Sequence, residues 1–173
     1  MEKKRTMGSL YFDGTPVDVG SEYDGGEMTI GDTVRGKKIT WIAVNGLLIA
    51  DRCVCVNISA EQLDDLGFTK GKTISIDGQQ YLCRLLKVGA KPDVPNEWDA
   101  ALDATSDDND LWHWEDVFFW GVEVVERPSA YRARRGYLSS RGFGFSSPSY
   151  RGVGVGFRPA LKPLGTDNLK SEK

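Results

Sequence analysis

The chain has 173 residues, 40% of them apolar, five tryptophans and a formal charge of −3. That length and apolar share describe one folded domain with its own core, and exclude both a disordered chain and one dependent on metal or disulfide staples. No apolar run approaches the roughly 20 residues that cross a bilayer, and Met1-Glu2-Lys3-Lys4-Arg5 leads into no signal-peptide core, so a soluble, cytoplasmic protein is expected.

Residues 1–7 are expected as a flexible N-terminus and residues 8–164 as a single domain. The first half of that domain reads as short strands and tight turns. Leu10-Tyr11-Phe12 runs into Asp13-Gly14, residues 38–44 into Asn45-Gly46, and residues 73–76 into Asp77-Gly78. Residues 47–50 and 80–88 return from the second and third of these pairs. Asn-Gly and Asp-Gly between β-prone runs favour type I′ turns, whose central residues need positive φ. Residues 52–58 read as extended, with Cys53 and Cys55 on one face, and Cys83 lies in another strand. Three cysteines without extracellular signals point to reduced, buried thiols, and a single histidine leaves no ordinary Cys/His zinc set.

Two short helices interrupt the strands. Ser59-Ala60-Glu61-Gln62 matches a capping box, with Leu63 and Leu66 on one face and Gly67 as the stop. Asn96 caps a second helix through Leu102 that places Trp98 and Leu102 together. Asp107-Asp108-Asn109-Asp110 reads as a loop, ahead of Leu111-Trp112-His113-Trp114 and a strand from Val117 through Trp120 that Val122, Val124 and Val125 extend. From Pro128 to Gly156, Gly, Ser, Arg and aromatics follow no clear period; residues 142–145 and 152–157 read as short β ribbons or as ordered loops. Residues 165–173 are expected as a disordered tail. The expected fold class is α+β: mainly antiparallel β, two short helices and a long loop-rich second half.

Two opposed charge blocks lie under the small net charge. Eleven acids and no Lys or Arg fall between Pro92 and Glu126, and seven arginines and no acid between Arg127 and Arg158. Such blocks can steer a charged partner or neutralise each other inside the fold. The acidic loop, with Asp107, Asp108, Asp110, Glu115 and Asp116, offers a phosphate-like pattern of carboxylates to a basic channel. It lacks the glycine and closing glutamate of a calcium-binding EF-hand. Tyr131, Arg132, Arg134, Arg135, Tyr137, Arg141, Tyr150 and Arg151 have the ingredients of a nucleic-acid surface or a protein hot spot. The alternative for this set is internal pairing and stacking. Arg158 reads as structural. Catalysis would have to use His113 with Asp110, Glu115 or Asp116. No G-x-S-x-G elbow, Walker loop or H-E-x-x-H helix is present.

Two fragments carry a resemblance. Ile39-Thr40-Trp41 followed by Leu47-Leu48-Ile49-Ala50, and the closing Gly156-Phe157-Arg158-Pro159-Ala160-Leu161, resemble small bacterial domains of C-type-lectin-like fold and the sulfatase-modifying-factor group. The resemblance implies a C-type-lectin-like domain over about residues 8–164. The catalytic cysteine pair of the sulfatase-modifying enzymes and the lectins' Glu-Pro-Asn and Trp-Asn-Asp calcium motifs have no counterpart, so no activity transfers with it. As a whole the chain also resembles phage-encoded anti-CRISPR proteins that inhibit the type II effector Cas9. The implied function is a non-catalytic protein without metal or cofactor, which binds a host effector such as Cas9 and blocks its engagement of DNA. The other readings are a glycan- or ligand-binding module with a site near Trp112 or Trp114, a nucleic-acid-binding accessory protein, and an enzyme built on His113.

Overall fold

Positive φ at paired residues turns this chain three times. In the computed structural model, which describes residues 3–127 and 130–165, Asp13 and Gly14 have φ of 50° and 81°, Asn45 and Gly46 52° and 81°, and Asp77 and Gly78 51° and 88°. Those values fit the type I′ turn, and all three expected hairpins form. The first half holds β1 (Lys3–Thr6), β2 (Ser9–Phe12), β3 (Thr15–Val17), β4 (Ser21–Glu22), β5 (Met28–Gly31), β6 (Thr40–Val44), β7 (Leu47–Ala50) and β8 (Cys55–Val56). After α1 (Ala60–Leu66) come β9 (Lys72–Ile76) and β10 (Gln79–Arg84), then α2 (Glu97–Ala104) and α3 (Asn109–Trp112). The second half continues with β11 (Phe118–Val124), β12 (Arg132–Gly136), β13 (Phe143–Ser146), β14 (Val155–Phe157) and β15 (Ala160–Pro163).

The α+β class holds, with three corrections. The second half is strand-rich rather than loop-rich: β11, β12 and β13 form an antiparallel meander. There are three helices among the described residues, because the Asp108 carboxylate accepts from the Asp110 N–H at 3.0 Å and caps one turn where a loop was expected. Burial of Leu111 and Trp112 holds that turn against the core. Residues 3–6, expected within a flexible lead, pair antiparallel with β6 from Lys3 opposite Ala43 to Thr6 opposite Thr40. The expected tail lies outside the described residues from position 166 onward. The two expected helices form on their own capping chemistry. Ser59 and Gln62 exchange both capping-box bonds, and the Asn96 side chain accepts from the Asp99 N–H.

Three sheets result. One is wholly antiparallel, in the order β1-β6-β7-β15-β10-β9; a second runs β13-β12-β11-β14-β8-β4, with parallel pairing at β11/β14 and β4/β8; the third is β3-β2-β5. The apolar runs of β6 and β7 feed two cores. Trp41, Leu48 and Ala50 enter a cluster with Leu10, Phe68, Trp120 and Phe157, while Ile42, Val44 and Ile49 join Trp98, Trp112 and Phe119. Each of the five indole N–H groups finds an acceptor, at 2.8–2.9 Å, so the large rings leave no donor unmatched.

The chain steps between the two six-stranded sheets at Arg158-Pro159, from β14 to β15, and again between β7 and β8. Backbone bonds zip the two steps together: the Ala50 N–H donates to the Pro159 carbonyl at 3.0 Å and the Val54 N–H to the Phe157 carbonyl at 2.9 Å. Arg158 is fully buried here. It donates to the Ala50 carbonyl at 2.9 Å and to the Trp112 carbonyl at 2.7 Å. Its guanidinium carbon lies 4.7, 4.9 and 5.8 Å from the ring centres of Phe119, Trp98 and Trp112. Burial pulls this group down to about 10, against support from Cys53 and Asp51, which leaves it charged at neutral pH. Arg158→Met keeps the volume but strands two buried carbonyls, and should lower stability by about 2–5 kcal/mol, read from the urea midpoint.

All three cysteines are free and buried. Burial pushes the Cys53 thiol up to about 11, partly opposed by the charge of Arg158, and raises Cys55 and Cys83 further. Since the thiolate is the reactive form, a thiol reagent at pH 8 should leave the native protein unlabelled and titrate three groups after unfolding. Rapid labelling of the native chain would contradict this burial.

Candidate functional site

Much of the arginine block is spent inside the fold on acids that precede it. The side chain of Arg135, 1% exposed, donates to Asp99 of α2 and to the Val88 carbonyl, both at 2.6 Å. Arg141 spans Asp103 at 2.8 Å and Asp107 at 3.0 Å, with Asp99 at 3.8 Å. Arg132, 4% exposed, forks onto both carboxylate oxygens of Asp64 on α1 at 2.9 and 3.0 Å and reaches the Gly121 carbonyl at 3.0 Å. Arg132 and Arg135 are therefore corrected from partner-binding candidates to internal braces. Strand alternation on β12 sends Arg132 toward α1 and Arg135 toward α2, and both are covered there. Arg141 is half-exposed and already holds three carboxylates.

Arg134 is different. It points to the same side of β12 as Arg132 but meets no carboxylate among the described residues. Its guanidinium carbon lies 4.0 Å above the Phe118 ring and 5.9 Å from the Tyr150 ring. Its buried Nε lacks a hydrogen-bond partner, as do those of Arg132, Arg135 and Arg158, but unlike theirs its terminal nitrogens have none either among the described residues. Burial lowers its affinity for the proton, with Tyr150 opposing. Phe118 stacks in turn on Tyr137, with ring centres 5.0 Å apart and planes 20° off parallel. The glycine pattern of the second half now has a physical reason. A Cβ on Gly144 would lie 3.3 Å from Phe118 Cε1 and 3.4 Å from Arg134 Nε, and one on Gly154 3.4 Å from Tyr137 Cε2. At Gly144 the bare position lets the Phe118 ring and the guanidinium lie close to the sheet, whereas a Cβ at Gly154 would only touch the Tyr137 ring. Around them Tyr150, Val153 and Leu138 are exposed, at 49%, 65% and 85%, and Arg151 is exposed beside Tyr150.

The structure thus brings Arg134, Tyr137 and Tyr150 together and leaves Tyr131 out. Tyr131 packs against the second core cluster and meets Phe145, with ring centres 6.1 Å apart. Phe118, Gly144, Val153 and Gly154 belong to the face and were not among the expected residues. The alternation of Phe118 and Phe119 in a strand was the available signal, since one ring of such a pair faces away from the core its neighbour fills.

The acidic loop is partly structural. Asp107 accepts from Ser140 at 2.6 Å and from Arg141 at 3.0 and 3.2 Å; these bonds hold its carboxyl below the usual range. Asp108 caps α3, and Asn109 contacts Glu115 through both its amide oxygen and its amide nitrogen. The exposed carboxylates of Asp110 and Asp116 have no such partner among the described residues.

His113 sits in a left-handed turn at φ 46°. Its Nδ1 lies 3.2 Å from the Asp51 carbonyl and its Nε2 3.1 Å from Arg52 Nη2. The roles that fit are Nδ1–H donating and Nε2 accepting, so both ring nitrogens are engaged. Its carboxylate neighbour is Asp51, at 3.8 Å, rather than Asp110, Glu115 or Asp116. Trp112 is fully buried and Trp114 spends its N–H on the Asp107 carbonyl, so Trp112 offers no ring to a glycan. Among the described residues, no group of three or more His, Cys, Asp or Glu is placed to hold a metal ion, and no helix is long and apolar enough to cross a membrane.

Among the described residues three carboxyls, Asp77, Glu97 and Asp107, titrate below their ordinary range. For Asp77 the cause is the hydroxyl and backbone N–H of Thr33. For Asp107 the cause is Arg141 and Ser140. For Glu97, burial works upward, but the bidentate Arg84 at 2.8–2.9 Å and the Lys87 N–H outweigh it. A depressed folded value contributes stability that is fully present above the unfolded value, near 4, and lost as pH falls through the folded one. The urea midpoint should therefore fall only below about pH 4, and Asp107→Asn should flatten that limb; a decline starting at pH 6 would assign acid sensitivity elsewhere. Comparisons with protein-family models, curated proteins and solved structures give no match to this chain.

Proposed function

We propose that the protein acts by binding another macromolecule, without catalysis, and that the arginine–aromatic face is its contact surface. The observation that carries this reading is Arg134. A half-buried guanidinium stacked on Phe118, with Tyr150 beside it and no acceptor among the described residues, has lost part of its hydration without replacing it. A partner's carboxylate or carbonyl would bond the terminal nitrogens of the group. Arginine and tyrosine in such a setting dominate the energetics of protein interfaces.

The resemblance gives the reading its specific form. The β scaffold is C-type-lectin-like, and the chain is a phage-encoded inhibitor that acts in the host cytoplasm on guide-loaded Cas9. The arginine–aromatic face contacts the effector, and the free carboxylates of Asp110 and Asp116 occupy the basic channel that DNA would follow.

Co-elution with guide-loaded Cas9, with and without a labelled DNA duplex, tests this. The wild-type protein should co-elute and exclude the duplex. Arg134→Ala should weaken the complex by about 2 kcal/mol, roughly thirtyfold in Kd, and Asp110→Lys with Asp116→Lys should let the duplex back in. Absence of a complex at low salt rejects Cas9 as the partner. A complex indifferent to Arg134→Ala rejects this face as the contact.

A further inference from the structure

The strand edge beside Arg134 is open. β13 ends its sheet and pairs only with β12, Phe143 lying opposite Arg135, Phe145 opposite Ala133 and Gly144 opposite Arg134. The Gly136 N–H donates to the Gly142 carbonyl, which makes residues 142, 144 and 146 the ones whose backbone groups face β12. The N–H and C=O of Phe143 and Phe145 therefore point away from the sheet, and none of them meets a partner among the described residues.

The other edges of the two six-stranded sheets are guarded. β1 carries Lys3, Lys4 and Arg5, and β4 is two residues long. Past β9 the third sheet closes in, with Thr33 and Asp32 bonded to Asp77. β13 is Phe-Gly-Phe-Ser, without charge or proline, with Phe145 43% exposed. Natural sheets avoid leaving such an edge open unless something pairs with it.

We propose that β13 receives an extended acidic segment of a partner protein as an added strand. This rests on the reading of the arginine–aromatic face as a contact surface, and names what that surface takes. The residue of the incoming strand opposite Gly144 faces the Arg134 side of the sheet, and the missing Cβ of Gly144 leaves its path to the guanidinium clear. Its two neighbours face the Phe145 side. The recognised pattern is thus apolar, acidic, apolar. Charge selects against a second copy of this chain, since no acid occurs from Arg127 to Arg158 and a self-pair would bring like cations together.

An NMR titration of the ¹⁵N-labelled chain with a pentapeptide tests the proposal. The peptide has threonine at both ends and valine-glutamate-valine at its centre; counterparts carry glutamine or lysine in place of glutamate. The glutamate peptide should shift the amides of Phe143 and Phe145 and the Arg134 Nε resonance, and bind at least fivefold more tightly than the glutamine peptide. Arg134→Gln should remove that preference. Phe145→Pro deletes an outward N–H and no ladder bond, so it should abolish binding with the rest of the spectrum intact, while Phe145→Val should retain it. Equal binding of all three peptides, shifts confined to Arg134, or no shift at millimolar peptide would each overturn the proposal. So would concentration-dependent shifts of the same amides without peptide, which would mean self-pairing. The titration contains no effector, so it reports on the edge whether or not Cas9 is the partner.

Discussion

A charged guanidinium sealed among aromatic rings is the constraint around which this fold is arranged. Arg158 lies where the chain passes from one six-stranded sheet to the other, and its two carbonyl acceptors come from distant elements, the end of β7 and the turn of α3. A buried cation is tolerable when hydrogen bonds and counter-charge offset its lost hydration; here, Nε apart, that falls to its two terminal nitrogens. Matching them requires α3 to present Trp112 at one angle and Trp98 and Phe119 to stand with their rings around the group. Asp51, 4% exposed, adds negative potential and is itself held by Arg52 and His113. The lone histidine thereby serves the same junction as the buried arginine.

The charge blocks follow a similar logic on a larger scale. α2 carries Glu97, Asp99 and Asp103, and each meets an arginine from another element: Arg84, Arg135 and Arg141. All seven cations between positions 127 and 158 are arginine and none is lysine. The reason is geometric, since a planar fork reaches a carboxylate and a backbone carbonyl at once, as Arg132 and Arg135 both do, whereas an ammonium is a single compact charge. Once these pairs are formed, the cations of the block left without an ion pair among the described residues are, beside the sealed Arg158, Arg127, Arg134 and Arg151. Of these, Arg134 and Arg151 give the aromatic face a narrow cationic strip.

The parts of the fold that were legible in the sequence are those whose causes are local. Asp-Gly and Asn-Gly set their own turns, and Ser59 with Gln62, or Asn96 alone, caps a helix within three or four residues. β12 was not legible, because Arg132-Ala133-Arg134-Arg135-Gly136 has the composition of a solvated loop. What makes it a buried strand lies far along the chain, at Asp64 and Asp99. The same distance explains the candidate site. Eight Arg and Tyr positions looked alike by composition, and only the placement of their partners separates the braces, Arg132 and Arg135, from the unpaired Arg134. Gly144 fitted a ribbon or an ordered loop equally well; what its bare Cα serves, the Phe118 ring and Arg134, lies on other strands.

The position of the last two strands has a consequence for how the chain acquires its structure. β15 lies between β7 and β10, and β14 between β11 and β8, so both sheets are completed from the inside by residues 155–163. During vectorial synthesis the early hairpins can form as they emerge, yet neither large sheet can close until this segment has left the ribosome. Until then the flanking strands expose interior edges that are later covered, a state in which incomplete chains associate readily. Contacts that distant in sequence also carry a large loop-closure entropy, which slows folding. Maturation of this domain is therefore a single late event, and the nascent chain passes through its most aggregation-prone stage just before the final strands insert.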